Sequence, residues 1–116
     1  MPLLKILTNC DKPDVDLTAL QADLATQAAH LVGKKVDYVM TTLEFTEYMT
    51  FAGTSEPTAY VEFKNIGPLD AELTRKLSNV ICTTVEATLG VSSKRIYIEF
   101  QEATRHHWGW NRDNFA

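Results

Sequence analysis

The sequence lacks long apolar runs, contains few cysteines and shows no cluster of one charge. No stretch approaches the roughly 20 consecutive apolar residues of a membrane-spanning helix. The two cysteines, Cys10 and Cys82, are too few and too far apart to predict a disulfide framework or a zinc site. The 11 lysines and arginines are scattered and are outnumbered by 15 acidic residues, so nucleic acid is not expected as the main partner.

The amino terminus has no apolar segment behind basic residues, so no secretory signal is expected. The expected location is the cytoplasm, although release from the cell without a signal peptide stays open. The length of 116 residues suits a single domain, 1–116. No metal is expected, because His106 and His107 are adjacent in the sequence and have no third ligand nearby.

The first part of the chain has the pattern of a β-strand, an α-helix and a second β-strand. Residues 3–8 form a short apolar run of strand length. Apolar residues then recur at helical spacing as far as Gly33, and the helix begins at a capping box from Thr18 or, alternatively, at Asp16. Residues 37–45 alternate between apolar and polar side chains, which predicts the second strand.

The same order of elements follows in the second part of the chain. Residues 59–63 and 95–101 have the composition and alternation of strands. The segment between them predicts a helix that has Pro68 in its first turn and ends at Gly90, as the first helix ends at a glycine. The chain therefore contains two tandem βαβ units.

The two units span about residues 1–45 and 58–101, offset by roughly 57 residues. They predict an α/β fold, an α+β sandwich in which a four-stranded sheet carries both helices on one face. The other face is expected to be apolar enough to need a partner, so we expect an oligomer. We expect the tail, 106–116, to clasp a neighbouring subunit; the alternative is that it folds back on its own core.

Pro2 stands directly behind Met1, and removal of Met1 would leave a secondary amine at the amino terminus. Such a nitrogen becomes a useful general base near neutral pH when burial or a nearby cation lowers its pKa. The apolar run that follows predicts a core strand that holds this nitrogen in place. The alternative is that Pro2 only provides a stiff start to the chain, and retention of Met1 would make its nitrogen an amide, which is no base.

Short motifs along the whole chain occur together in a recognisable order. They are Met1-Pro2-Leu3-Leu4, Thr8-Asn9, Gly33-Lys34, Ser55-Glu56-Pro57, Ile66-Gly67, Arg95-Ile96-Tyr97-Ile98, Gly109-Trp110-Asn111 and Phe115-Ala116. In this order, and with about one residue of length difference in the first loop, they resemble the macrophage migration inhibitory factor family of the tautomerase superfamily.

This resemblance implies the tautomerase fold, a homotrimer and an active site between subunits. It implies keto–enol tautomerisation of α-keto acids such as phenylpyruvate and hydroxyphenylpyruvate, with dopachrome as a further substrate, and no cofactor. Pro2 would be the general acid and base. Lys34 and the backbone of Ile66 would bind the substrate carboxylate. Lys34 is otherwise a favourable charge at a helix end, and the Ile66 side chain is a packing residue.

The resemblance also assigns pocket residues beyond the carboxylate. Tyr97 would enter the pocket from the adjacent subunit, whereas Tyr38 and Phe115 would stand at its rim; all three are otherwise ordinary packing residues. Two residues depart from the animal cytokine of the family. Glu99 replaces an asparagine in the pocket, and Trp108 replaces a small aliphatic residue at its mouth, so substrate range is expected to differ.

The leading hypothesis is therefore a small α-keto acid tautomerase. The alternative is a cytokine-like protein that binds a receptor and has a weak or vestigial pocket. A trimer with a purely structural role is the third reading, because Glu99 places a carboxylate where a keto acid would bind.

Overall fold

The computed structural model describes residues 1–116 and has two helices packed on a four-stranded sheet. The tail adds a two-stranded hairpin. In chain order, the elements are β1 (Leu3–Thr8), α1 (Leu17–Val32), β2 (Met40–Phe45), β3 (Ala59–Ile66), α2 (Ala71–Leu89), β4 (Ile96–Ala103), β5 (Gly109–Trp110) and β6 (Asp113–Asn114).

The sheet has the strand order β2-β1-β3-β4. β1 is parallel to β2, β3 is parallel to β4, and the two central strands β1 and β3 are antiparallel. Each parallel pair is joined through one helix, as expected of a βαβ crossover. This topology confirms the predicted fold class, two βαβ units side by side in one sheet.

Alternate side chains of the two central strands point toward the helices and form the core. Phe63 on β3 is fully buried, and Leu4 stands opposite it on β1 with 1% exposure. The helices contribute a matching apolar face, because residues three and four apart lie on one side of a helix. That face consists of Leu20, Leu24, Ala28, Leu77, Ile81 and Val85.

The opposite face of the sheet is less apolar than expected. Lys5, Glu62 and Glu99 occupy neighbouring positions on β1, β3 and β4 and form one cross-strand row. Leu7, Tyr60 and Tyr97 form the next row. The face therefore carries a charged row next to an apolar one.

The helix boundaries differ from the expected ones at their amino-terminal ends. Asp16, rather than Thr18, caps α1, because its side chain accepts a hydrogen bond from the Ala19 N–H at 3.1 Å. Asp70 caps α2 in the same way. Pro68 therefore precedes the helix instead of occupying its first turn. A carboxylate accepts hydrogen bonds from the free N–H groups and interacts favourably with the positive end of the helix dipole. Aspartate is therefore the favoured cap at both positions.

The second strand also begins later than predicted, since residues 36–38 form a short 3-10 turn before β2. The tail folds into the β5–β6 hairpin, whose two turn residues, Asn111 and Arg112, both have positive φ. This conformation is typical of a tight type I′ turn. The hairpin packs beside Tyr38 of its own chain, and the expected clasp on a neighbouring subunit stays a prediction. Neither helix has the length and apolar character needed to cross a bilayer.

Candidate active site

The end of α1 places Lys34 beside the carboxyl-terminal end of β3. Gly33 has a φ of 68°, which a glycine adopts without steric cost, and it ends the helix. The Lys34 ammonium then donates hydrogen bonds to the Asn65 Oδ1 atom at 3.1 Å and to the Ile66 carbonyl oxygen. Two of the predicted site residues, Lys34 and Ile66, are thus in direct contact. Asn65, which sequence reasoning missed, joins them.

Pro2 lies beside this group at the start of β1. Its side chain is fully buried, and its carbonyl oxygen accepts a hydrogen bond from the Met40 N–H at 3.0 Å. Leu3 pairs with Lys64 in the antiparallel register of β1 and β3. Continuing that register by one residue places Pro2 opposite Asn65. Pro2 is therefore held on both sides, by β2 and by β3.

The amino-terminal amine of the chain lies in the same environment. Burial lowers the pKa of the Met1 amine from 8.0 to about 5, assisted by a hydrogen bond and the charge of Lys34. Both effects disfavour the ammonium form, since desolvation penalises a charge and a neighbouring cation repels one. The Met1 amine is therefore neutral at pH 7.

A cleft of about 270 Å³ opens next to Pro2. Its outer wall is aromatic: Trp110 stacks on Phe115 with ring centroids 5.8 Å apart, and Tyr38 meets Trp110 edge to face at 6.4 Å. Trp108 also lines the cleft. The structure thus places Tyr38, Phe115 and Trp108 where a pocket rim was expected. It adds Trp110, for which the Gly109-Trp110-Asn111 motif was the available signal.

Tyr97 and Glu99 lie at a different place from Pro2. Tyr97 pairs with Tyr60, which in turn pairs with Leu7. Leu7 is five residues from Pro2 along β1, on the order of 16 Å at the rise of a β-strand. One chain therefore does not bring Tyr97 to Pro2.

The surroundings of Tyr97 and Glu99 are nevertheless well defined. Tyr97 packs edge to face on Phe51 with centroids 5.0 Å apart. The Glu99 carboxylate accepts a hydrogen bond from the Tyr60 hydroxyl at 3.3 Å. Burial and the Glu99 charge raise the pKa of Tyr60, so this hydroxyl stays protonated and partners the carboxylate.

The histidine pair in the tail does not assemble a metal site. The rings of His106 and His107 lie 4.1 Å apart, and no group of three histidine, cysteine or acidic side chains in the chain is arranged to hold a metal ion. That the protein uses no metal or other cofactor stays a prediction.

The fold and these positions can be compared with known proteins. The family model described as macrophage migration inhibitory factor matches residues 1–116. The chain belongs to the macrophage migration inhibitory factor family. Macrophage migration inhibitory factor from Rattus norvegicus is 30% identical over 116 residues, which cover 100% of both chains.

Solved structures of family members agree with this assignment. The homologue from Prochlorococcus marinus is 39% identical, with a TM-score of 0.93 over 98% of this chain and 99% of that one. The related protein from Entamoeba histolytica, at 23% identity, has a TM-score of 0.90 over 98% of both chains and supports the fold alone. Family membership supports a tautomerase or cytokine-like function for the chain.

Proposed function

We propose that the protein is a cofactor-independent keto–enol tautomerase of phenylpyruvate-type α-keto acids, with Pro2 as its general acid and base after removal of Met1. Hydroxyphenylpyruvate and dopachrome are further candidate substrates. The observation that carries the proposal is the position of Pro2, which is buried at the start of β1 and opposite Asn65, the residue that accepts a hydrogen bond from Lys34. Burial and the Lys34 charge lower the pKa of the Met1 amine, and we expect both effects to act on the Pro2 nitrogen once it is freed.

The proposed reaction moves one proton and changes no oxidation state. The neutral Pro2 nitrogen takes the proton from the enol hydroxyl, and the resulting ammonium delivers a proton to the neighbouring carbon. The keto form leaves with one new C–H bond and without its O–H bond. A base with a pKa near the working pH performs both steps efficiently, because it is readily protonated and deprotonated.

In this proposal the Lys34 ammonium and the Ile66 backbone N–H donate hydrogen bonds to the substrate carboxylate. Lys34 supplies a positive charge within hydrogen-bonding distance of the Ile66 carbonyl. A charge-assisted hydrogen bond to a carboxylate is about twice as strong as a neutral one. The aromatic wall beside Pro2 then receives the aryl group, with Trp108, Tyr38 and Phe115 at the rim.

A homotrimer completes the proposed site. Tyr97 and Glu99 face away from the Pro2 of their own chain, so they would reach the pocket of a neighbouring subunit. The charged and apolar rows on the exposed sheet face support burial against a second copy rather than against lipid or nucleic acid. The cytoplasm is the proposed location, with release by a route that needs no signal peptide.

The test measures phenylpyruvate tautomerisation by protein whose intact mass establishes the loss of Met1. Pro2→Ala is the matched variant, because it keeps a small first residue and replaces the secondary amine with a primary one. We expect the rate to fall by at least about 100-fold, within the range for loss of a general base. Activity in Pro2→Ala equal to the wild type would overturn the role of Pro2.

Receptor binding is the second candidate function. It is supported by the names of the relatives, which are macrophage migration inhibitory factors, and by the exposed aromatic residues Tyr97 and Trp110. Pro2→Ala separates the two functions, because it replaces the secondary amine needed for proton transfer, which receptor binding does not use. Loss of tautomerisation with retained binding to animal cells would show two independent roles.

A further inference from the structure

Asn65 is a buried polar residue at the Pro2 end whose hydrogen-bonding capacity is only partly used. The side chain is 3% exposed and lies on the helix-facing side of β3. Its only side-chain hydrogen bond is the one from Lys34 to Oδ1, at 3.1 Å. The two N–H groups of its Nδ2 atom donate to nothing in the chain.

The orientation of the Asn65 amide follows from its partner. A lysine ammonium can only donate, so the oxygen of the amide must face Lys34 and the NH₂ group must face away from it. No buried side-chain nitrogen or oxygen of the chain lacks a partner. Because Nδ2 bonds to nothing, it must therefore reach the accessible surface.

The strand register places Asn65 next to Pro2. Pro2 stands opposite Asn65 when the β1–β3 pairing is continued by one residue, and side chains opposite each other in an antiparallel pair lie about 5 Å apart. An accessible amide NH₂ group on a residue that also holds the Lys34 ammonium can donate a hydrogen bond to an anionic ligand.

We propose that Asn65 is a substrate-binding residue: its Oδ1 atom fixes the Lys34 ammonium, and its Nδ2 atom donates a hydrogen bond to the substrate carboxylate. This inference rests on the proposed function for the identity of the substrate. It adds a neutral donor that holds the carboxylate at a set angle, while Lys34 supplies the charge. Acids that carry the carboxylate next to the reacting carbon are therefore favoured over their esters.

The decisive experiment compares phenylpyruvate with its methyl ester in the processed wild type and in Asn65→Asp. Aspartate keeps the oxygen that accepts from Lys34 but loses both N–H donors. We expect kcat/KM for the acid to fall by at least about 10-fold, because the variant loses a hydrogen bond to the substrate carboxylate and also places a second negative charge beside it. For the ester, kcat/KM should change by less than about threefold. Each protein is measured at a pH on the plateau of its own rate profile.

Asn79→Asp is the control, since it makes the same charge change at an exposed position of α2. It should leave both substrates unaffected. Equal losses for acid and ester in Asn65→Asp would mean a general structural role and would overturn the proposal. If Asn65→Asp does not fold, Asn65→Ser keeps an acceptor for Lys34, and the same split between acid and ester is expected.

A binding experiment separates this inference from the reaction itself. Titration calorimetry with phenylacetate and with 2-phenylethanol tests a carboxylate against a neutral probe. We expect Asn65→Asp to weaken phenylacetate binding at least about 10-fold and to leave 2-phenylethanol unchanged. If the wild type has no tautomerase activity but Asn65→Asp still weakens phenylacetate binding, the anion site is supported and the proposed reaction is rejected. Unchanged phenylacetate affinity, or no binding by the wild type, would overturn the role of Asn65.

Discussion

The two ends of the sheet use similar polar residues in opposite ways. At the Tyr97 end, Asn9 Nδ2 donates to the carbonyl oxygens of Met49, Ser55 and Glu56, and its oxygen accepts from the Thr58 N–H. At the Pro2 end, Asn65 accepts one hydrogen bond and donates none. Both residues are asparagines near a strand end, but only Asn9 satisfies both its donors and its acceptor within the chain.

The cations at the two ends show the same difference. Arg95 donates to four backbone carbonyls, those of residues 51, 54, 56 and 57, and its guanidinium lies 5.1 Å from the centre of the Phe51 ring. Lys34 donates to only two oxygens, Asn65 Oδ1 and the Ile66 carbonyl, and its third N–H is directed to the amino-terminal amine. Donors that are satisfied by the backbone hold a loop in place, whereas donors left over can bind substrate.

The largest effect on stability should come from Asn9. Asn9→Ala removes three donated hydrogen bonds and leaves the Thr58 N–H without its acceptor, so we expect a loss of about 2–3 kcal/mol in the free energy of unfolding. Asn65→Ala should cost about 1 kcal/mol, because Lys34 keeps its bond to Ile66. Urea denaturation at one fixed protein concentration measures both, and equal losses would contradict the comparison.

The next effect concerns activity rather than stability. Lys34→Met removes the charge that meets the carboxylate and keeps the length of the side chain. We expect kcat/KM for phenylpyruvate to fall about 10-fold to 100-fold, the cost of a lost hydrogen bond to a charged group. Lys35→Met, at an exposed neighbouring position, is the control and should be neutral. A similar loss in both variants would point to long-range electrostatics instead of a specific contact.

A smaller effect is expected on the titration of the Met1 amine in chain that retains Met1. With its pKa lowered to about 5, this amine is charged below pH 5 and neutral at pH 7. In Lys34→Met the pKa should move upward but stay below 8.0, because burial, the largest cause, remains. Acylation of the amine as a function of pH reports the midpoint. A midpoint that does not move would exclude an influence of Lys34.

The smallest effect should come from the tail. The Arg105 Nε–H donates to the Phe115 carbonyl at 2.6 Å, and the Phe115 N–H donates back to the Arg105 carbonyl at 3.3 Å. Arg105→Ala should loosen Phe115 against Trp110, raise KM for phenylpyruvate about threefold and speed release of the last residues by carboxypeptidase. Arg112→Asn, which removes a charge in the same hairpin and tolerates positive φ, should change neither measurement.

Most of the fold could be predicted from local patterns. Strand and helix periodicity and the two terminal glycines, Gly33 and Gly90, were sufficient for the two βαβ units. Local patterns failed at the helix starts, where several residues competed as caps and the geometry of the turn selected Asp16 and Asp70. They also failed at the start of β2, because residues 36–38 combine a strand-like composition with a 3-10 turn.

The candidate site could be predicted only in part, because local motifs identify some of its residues and not others. Pro2, Lys34 and Ile66 follow from motifs that resemble the family. Asn65 does not, because its role depends on which strand lies beside β1 and in which register. The separation of Tyr97 from Pro2 is likewise a property of strand order.

The sequence by itself determined the elements, the amino-terminal proline and the family, since these depend on residue type and short-range spacing. Only the tertiary structure decided which polar groups meet across the sheet. It paired Lys34 with Asn65, 31 residues away, and left the Asn65 NH₂ group free, whereas it satisfied both the NH₂ group and the oxygen of the Asn9 side chain. Hydrogen bonds depend on distances of about 3 Å between residues far apart in the chain, and no local pattern encodes them.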